Sequence, residues 1–209
     1  MINIGVIGYG YWGPNIVRNF KAIEKAKVSI VCDIDREALK RVHKVYSDVK
    51  TVSDPNEVLT SPAIDAVAIV TPVFTHYELA KKALENGKHI FVGKPFTSKV
   101  SEAEELIELA ERNNLKIMVD HTFLFTGAVK KIKEIIDNNL LGQLYYYDST
   151  RVNLGLFQHD VNVLWDLAPH DLSIMDYLLE EEPAALVATG SAHFGRGLED
   201  VAYLTVYFN

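Results

Sequence analysis

Short apolar runs rich in β-branched residues alternate with amphipathic helical stretches over the first 120 residues. The stretch Thr75 to Asn86 carries an apolar stripe at helical spacing and stops at a glycine. A second helix is predicted after Ser101, where Glu104 is placed to complete a capping box. This alternation predicts a doubly wound parallel α/β sheet with helices on both faces. The predicted strands are Ile2 to Ile7, Val28 to Cys32, Ala66 to Val70, His89 to Val92 and Lys116 to Val119.

The pattern changes after His121, where strands and helices no longer alternate regularly. This change predicts an α+β domain with an antiparallel sheet, so we expect two domains, residues 1–121 and 122–209. The chain stops directly after an apolar run, and an unpaired apolar edge is one that proteins avoid, so we expect the second domain to be incomplete. Its predicted elements are helices at Gly127 to Asn139 and Val163 to Leu179, and strands at Leu144 to Asn153, Ala184 to Ser191 and Val201 to Phe208.

Composition excludes several classes of function. The 209 residues hold 21 basic and 28 acidic side chains, a net charge of -7, so the chain has no general attraction for nucleic acid or an anionic membrane. The single cysteine, Cys32, excludes an intrachain disulfide. The longest aliphatic stretch, Ala66 to Val70, is far shorter than the roughly 20 residues of a membrane span. We therefore expect a soluble protein of the reducing cytoplasm that binds an anionic ligand only through a local feature.

A glycine-rich hexapeptide follows the first predicted strand and opens a helix. Gly8, Gly10 and Gly13 match the pattern GxGxxG, and Asp33 lies 20 residues after Gly13, at the end of the second strand. The first glycine permits a tight turn, the second lets the backbone approach a pyrophosphate, and the third lets the helix pack close to the strand. The helix N-terminus then offers N–H groups to the phosphates. This context predicts a dinucleotide-binding domain of the Rossmann type.

Asp33 predicts NAD as the cofactor in preference to NADP. A carboxylate at this position accepts hydrogen bonds from the adenosine ribose and repels a 2′-phosphate. Arg36 leaves NADP open, because a nearby arginine accommodates that phosphate, and a helix cap or a surface turn is the structural alternative for Asp33. The remaining predicted cofactor contacts near these two loops are Tyr11, Trp12 and Ile34.

The chain resembles the Gfo/Idh/MocA family of oxidoreductases throughout its length. The residues that carry this resemblance are the opening GYGYWGPN, the stretch TPVFTHYELAKKALENGKHIFVGKP, DHTF at Asp120 to Phe123, and DLAPHD at Asp166 to Asp171. It implies a homo-oligomeric, NAD-dependent enzyme that transfers a hydride between a secondary alcohol of a sugar and the nicotinamide. Within the family, YWGPN together with NVLWDLAPHDLSI is most similar to dehydrogenases of sugar nucleotides of the UDP-N-acetylhexosamine type.

The resemblance also implies which residues carry the chemistry. Oxidising an alcohol needs a base for the hydroxyl proton and groups that orient the alcohol. His170 would be the general acid/base, Lys94 would hydrogen-bond the reacting oxygen near the nicotinamide ribose, and Asp166 would position the substrate or the histidine. Asp166 and His170 share a face if the segment is helical, but Pro169 indicates a helix that begins near His170. His121 is a further candidate contact to the substrate and an alternative proton acceptor.

Other candidate residues are less specific. By the resemblance, Thr71, Pro72 and His76 line the cofactor, whereas a helix cap by Thr75 and a surface position for His76 are the structural alternatives. Arg151 is a candidate for pairing with a nucleotide diphosphate, since its fork matches phosphate oxygens, or is a surface residue. We expect no metal site: His159 with Asp166 and His170 lacks the HExxH pattern or cysteine pair of a zinc site.

Two functions remain open at this point. The first is a working NAD-dependent dehydrogenase of sugars or sugar nucleotides. The second is a catalytically silent cofactor-binding fragment or remnant of such an enzyme. It is indicated by the abrupt end of the chain and by Gly93, which stands where the family's lysine-proline motif usually has a glutamate and so removes a carboxylate next to Lys94.

Overall fold

A computed structural model describes residues 1–152, 161–194 and 197–209. The chain divides into two compact units, Met1–Asp120 and His121–Asn209. The first contains a six-stranded parallel sheet, and the second contains helices and a two-stranded antiparallel sheet. This architecture confirms the fold class predicted from the alternation of strands and helices.

The sheet of the first unit has the strand order β3-β2-β1-β4-β5-β6. The chain therefore runs outwards in one direction from β1 to β3 and then returns to the other side of β1, which places a topological switch point between β1 and β4. β3 was not expected, because its three residues include a lysine and a threonine and so form no continuous apolar run. The strands are β1 Ile2–Ile7, β2 Ala26–Cys32, β3 Lys50–Val52, β4 Ala66–Ile69, β5 His89–Val92 and β6 Ile117–Val119.

Helices cover both faces of this sheet. On one face α1 and α2 contribute Ile16, Val17 and Val42 to a buried apolar layer, and on the other α4 and α5 contribute Leu84 and Leu106. A short 3-10 turn over Val73–Thr75 leads directly into α4. The five helices are α1 Gly13–Lys21, α2 Arg36–Val45, α3 Asn56–Leu59, α4 His76–Glu85 and α5 Val100–Arg112.

The predicted capping box at the start of α5 is wrong. The helix begins at Val100, so Ser101 lies inside its first turn, and Lys99 occupies the N-cap position without a side-chain cap. The Thr97 hydroxyl donates to the Lys99 carbonyl oxygen at 2.7 Å, which stabilises a turn just before the helix and moves its start ahead of the serine.

The second unit begins with a 3-10 segment, Thr122–Phe125, and continues with α6 Gly127–Asp137, α7 Val163–Leu179, β7 Ala185–Ser191 and β8 Val201–Tyr207. The strand predicted at Leu144 to Asn153 is wrong for residues 144–152, which contain no strand, and Asn153 lies outside the described residues. Nearly all of these side chains are exposed. Alternation alone cannot fix a strand that has no buried face to select a register.

Helix α7 runs without interruption through Pro169, so the start predicted near His170 is also wrong. The side chain of Asn162 accepts a hydrogen bond from the Trp165 N–H at 3.0 Å and caps the helix. A proline beyond the first turn costs a helix about 3 kcal/mol, and this cost is outweighed here by the cap and by packing. Asp166 and His170 therefore lie one turn apart on the same helix.

Candidate functional site

The glycine-rich turn after β1 is closely packed at its two ends and open in the middle. Gly8 has a φ of 101°, and a Cβ there would lie 2.4 Å from the carbonyl oxygen of Val70. A Cβ at Gly13 would lie 2.4 Å from the carbonyl oxygen of Gly8, whereas one at Gly10 would meet nothing within 4 Å. The turn thus leaves open space at the position where a pyrophosphate would approach the backbone.

Asp33 is fixed by the main chain of the two loops that follow β1 and β2. Its Oδ2 accepts from the Tyr9 N–H at 2.6 Å, and its Oδ1 accepts from the Asp35 N–H at 2.8 Å. The cap of α2 is Asp35, which accepts from the Glu37 N–H, so the helix-cap alternative for Asp33 does not hold. Each carboxylate oxygen has a second lone pair, so Asp33 can still accept from a ribose hydroxyl.

The other predicted contacts of the cofactor loops are accessible to a ligand. Tyr11 and Ile34 are 86% and 89% exposed, and Arg36 is exposed in the first turn of α2. Trp12 is half-exposed and donates from Nε1 to Oδ2 of Asp120 at 2.9 Å, which ties the glycine-rich turn to the end of β6. Asp120 was not among the predicted site residues, although it opens the DHTF segment.

The loops after β4 and β5 are joined by His76. This side chain is buried, with Nε2 lying 2.8 Å from the carbonyl oxygen of Thr71 and Nδ1 lying 3.0 Å from that of Pro95. The surface alternative for His76 is therefore wrong. Thr75 does not cap α4 with its side chain; its hydroxyl donates to the Pro72 carbonyl and bonds the Thr71 hydroxyl.

Lys94 is the second residue after β5 and is partly exposed. The peptide bond between Lys94 and Pro95 is cis. The preceding Gly93 donates its N–H to the Ile69 carbonyl oxygen at 2.9 Å. A Cβ on Gly93 would lie 3.7 Å from that oxygen and 3.8 Å from Cε1 of His76, which are ordinary contacts. Position 93 therefore has room for a side chain.

In the second unit, Asp166 and His170 lie on one face of α7. The ring of His170 is 4.7 Å from that of Phe123, centroid to centroid, with an interplanar angle of 82°. Arg151 is exposed and donates from Nε to Oδ2 of Asp171 at 2.6 Å, so it is a surface arginine that forms an ion pair. Phe123 and Asp171 were missed as site residues, although Phe123 ends the DHTF segment and Asp171 ends the DLAPHD segment.

A groove of about 490 Å³ lies next to this cluster in the second unit. His121 and Leu124 line one side, and Pro169, Leu172 and Tyr177 of α7 line the other. The groove therefore combines an imidazole with apolar walls, which is a chemistry suited to a ring with both polar and apolar edges.

Burial raises the pKa of a thiol and of a tyrosine hydroxyl. Burial, with a smaller contribution from the Asp33 carboxylate, raises the pKa of the Cys32 thiol to about 12. Burial also raises the pKa of Tyr147. Cys32 therefore stays protonated and is not a nucleophile.

The parts of the chain that the structure describes contain neither a cluster of metal-binding side chains nor a helix that could span a membrane. Over residues 1–152, 161–194 and 197–209, no three His, Cys, Asp or Glu side chains come together in a group that can hold a metal ion. His159 lies outside the described residues. Among the described helices, none combines the length and apolar character needed to cross a bilayer.

Comparison with known proteins agrees with this geometry. The model of an oxidoreductase family with an NAD-binding Rossmann fold matches residues 2–121, and that of the GFO/IDH/MocA C-terminal domain matches residues 129–209. The chain is 32% identical to scyllo-inositol 2-dehydrogenase (NAD(+)) of Bacillus subtilis and 30% identical to UDP-N-acetylglucosamine 3-dehydrogenase of Acidithiobacillus ferrooxidans. These matches cover 91% and 90% of this chain but only 56% and 58% of the relatives.

The fold is shared with solved structures as well. A probable dehydrogenase from Thermotoga maritima superposes with a TM-score of 0.84 at 24% identity, over 99% of this chain and 65% of the other. The two family models together match both units. The chain therefore belongs to the Gfo/Idh/MocA family of NAD-binding oxidoreductases.

Proposed function

We propose that this chain carries the NAD-binding and proton-transfer residues of a dehydrogenase that oxidises a secondary alcohol of a sugar or sugar nucleotide. The observation that carries this proposal is the glycine-rich turn, which is tightly packed at Gly8 and Gly13 and open at Gly10, beside a fixed Asp33. This combination fits a pyrophosphate and an adenosine ribose.

The residues of the first unit would bind and orient the cofactor. Backbone N–H groups around Gly10 and the start of α1 would bind the pyrophosphate, with Tyr11 and Trp12 beside it. Thr71, Pro72 and Lys94 would line the nicotinamide half at the ends of β4 and β5. When bound, NAD supplies the hydride acceptor. His76 supports this half indirectly, since both of its ring nitrogens face main-chain carbonyls.

His170 would take the proton from the substrate hydroxyl as the carbinol carbon loses its hydride. Asp166 precedes it by one turn of α7, and a carboxylate on the same helix face favours the protonated imidazole that results. Lys94 would donate a hydrogen bond to the reacting oxygen and stabilise the charge that develops there. His121, which lines the groove of the second unit, would contact the substrate.

The substrate class follows from what the named relatives share. One acts on an inositol and another on UDP-N-acetylglucosamine, and both substrates present a ring with secondary hydroxyls. Arg151 pairs with Asp171, so a diphosphate would have to share the guanidinium with a carboxylate. This ion pair favours an uncharged sugar or polyol over a sugar nucleotide.

We propose NAD as the cofactor in preference to NADP, because Asp33 is held beside the glycine-rich turn, where it would face the adenosine ribose and repel a 2′-phosphate. Calorimetric titration of the protein with each nucleotide tests this preference. We expect NAD to bind more tightly than NADP. We expect Asp33→Asn to reduce this difference in affinity between the two nucleotides. NADP binding as tight as NAD would assign the ribose pocket to the exposed Arg36.

Turnover is a separate test, because the chain spans 56% to 58% of the length of the relatives named above. NADH formation is followed with a panel of inositols, free sugars and UDP- or dTDP-sugars, and we expect at least one ring alcohol to be oxidised. NAD binding without turnover on any member of the panel would favour the second candidate, a catalytically silent cofactor-binding protein. Gly93, which stands where the family's lysine-proline motif usually has a glutamate, is the observation behind that candidate.

We also propose that the protein is a homo-oligomer. The β7–β8 sheet exposes apolar side chains, among them Leu186, Val187 and Tyr203, and two strands by themselves are marginally stable in water. Light scattering at several concentrations measures the assembly, and a monomer at all concentrations would contradict it.

A further inference from the structure

Four residues of the second unit form a closed circuit of contacts around Phe123. Its ring meets the ring of His170 nearly at right angles, with the centroids 4.7 Å apart. The guanidinium carbon of Arg151 lies 4.8 Å from the centroid of the same ring. Arg151 in turn donates to Asp171, which follows His170 directly in α7. The circuit thus begins and ends on the same turn of one helix.

Asp171 connects this circuit to the segment before α7. Its Oδ1 accepts from the Ser149 hydroxyl at 2.6 Å, and its Oδ2 accepts from Nε of Arg151 at 2.6 Å. Two donors on two oxygens fix the carboxylate, and the fixed carboxylate holds the guanidinium against the Phe123 ring, where the cation is attracted by the π-electrons. The Phe123 ring is therefore fixed on the side of Arg151.

The contact with Phe123 restricts the imidazole of His170. The terminal torsion of a histidine is broad, and rotation about it turns the ring nitrogens away from a group that they face. A right-angled aromatic contact is a favourable geometry for the pair and opposes this rotation. The neighbouring main chain is fixed as well, because the Ser173 hydroxyl donates to the His170 carbonyl oxygen at 2.8 Å.

We propose that Phe123 and Arg151 are positioning residues for His170, with Asp171 as the anchor of Arg151. This inference rests on the proposed function in one respect: the oriented imidazole is taken to be the proton acceptor. In this arrangement Arg151 acts through Phe123 and does not serve as a phosphate site. The circuit holds the plane of the His170 ring and so fixes the direction in which its nitrogens face the substrate hydroxyl.

The first test reads the geometry directly and needs no turnover. The carbon-bound ring protons of His170 are followed by NMR in protein with labelled histidine, and their signals are assigned with His170→Gln. The nearby Phe123 ring should displace these signals from their usual positions. Phe123→Tyr, which keeps the ring, should preserve the displacement, and Phe123→Leu should abolish it. Signals of His170 that are the same in Phe123→Leu and the original protein would overturn the inference.

The second test separates positioning from binding. In a form of the protein that turns over, Phe123→Leu should lower kcat by roughly 10- to 100-fold, the usual effect of a misplaced catalytic group. The affinity for NAD should not change, and Phe123→Tyr should restore kcat. Arg151→Met should lower kcat in the same direction, and the double variant should lose less than the product of the two single losses, because both act through one contact.

Each outcome decides the inference. Phe123 is 38% exposed, so its replacement by leucine should leave the fold intact, and circular dichroism checks this. If Phe123→Leu does not fold, Arg151→Met still tests the circuit by shifting the His170 signals. The inference would be overturned if the losses of kcat in Phe123→Leu and Arg151→Met simply multiplied in the double variant. A loss of NAD affinity as large as the loss of kcat would also overturn it. If no alcohol is oxidised, the proposed function fails, while the NMR measurement still decides whether Phe123 orients His170.

Discussion

Replacing His76 with phenylalanine should destabilise the protein by about 2 to 4 kcal/mol. The side chain is 2% exposed, and its nitrogens lie 2.8 Å and 3.0 Å from the carbonyl oxygens of Thr71 and Pro95. Phenylalanine keeps a ring in this space but donates no hydrogen bond. Each lost bond is worth roughly 0.5 to 1.5 kcal/mol, and each buried carbonyl left without a donor costs about 1 to 3 kcal/mol. A neutral imidazole donates only one N–H, so the full cost of two bonds is an upper limit.

Urea unfolding followed by circular dichroism measures this cost. With a typical slope of about 2 kcal/mol per molar urea, the midpoint should fall by roughly 1 to 2 M at an unchanged slope. The matched control is His43→Phe, because His43 is exposed on α2 and the same exchange there should change the free energy of unfolding by less than about 0.5 kcal/mol. Equal effects of the two substitutions would refute the role of His76 as a link between the loops after β4 and β5.

Three further predictions concern the two units separately. Gly8→Ala should lower the melting temperature, because its Cβ would lie 2.4 Å from a carbonyl oxygen. Gly10→Ala should keep the melting temperature and weaken NAD binding, because a Cβ there would meet only open space. A thermal scan with and without NAD distinguishes the two variants. Cys32, with its pKa raised to about 12, should resist alkylation at mildly alkaline pH until the protein is unfolded, as mass spectrometry can show. His170→Ala should slow turnover by roughly 100- to 10,000-fold with NAD affinity unchanged, and near-normal kcat would redirect the search to Lys94 or His121.

The fold of the first unit could be predicted because its determinants are local in sequence. Buried strands of a parallel sheet appear as short continuous apolar runs, and the glycines at 8, 10 and 13 each meet a different local requirement of the βα turn. β3 was missed because its three residues include a lysine and a threonine and so form no continuous apolar run. The start of α5 was misplaced by two residues because a turn at Thr97, and not the Ser101 hydroxyl, determines where the helix begins.

The second unit was harder to predict because its strands and helix ends depend on partners that are distant in the sequence. Residues 144–152 alternate like a strand but have no buried face, and a strand also needs a neighbour to hydrogen-bond. Pro169 indicates a helix start, yet the helix is capped seven residues earlier by Asn162. In each case a local rule was correct as a tendency and was outweighed by tertiary structure.

The candidate site shows the same division. The position of Asp33 beside the glycine-rich turn was accessible from spacing, since the end of β2 lies next to this turn in any sheet of this type. The burial of His76 was not, because its two partners, Thr71 and Pro95, lie on different loops. The contacts of Phe123 with Arg151 and His170 join segments that are 28 and 47 residues apart in the sequence, and no periodicity reports such pairs.

Gly93 illustrates why a departure from a family pattern needs a structure to interpret it. Glycine is often required by a positive φ or by a close backbone contact. Neither applies here: Gly93 is not among the glycines with positive φ, and a Cβ would find its nearest neighbours at 3.7 Å and 3.8 Å. The glycine is therefore not imposed by the backbone, and its consequence is chemical. Gly93 stands where the family's motif usually has a glutamate, so the residue before Lys94 in the sequence carries no carboxylate.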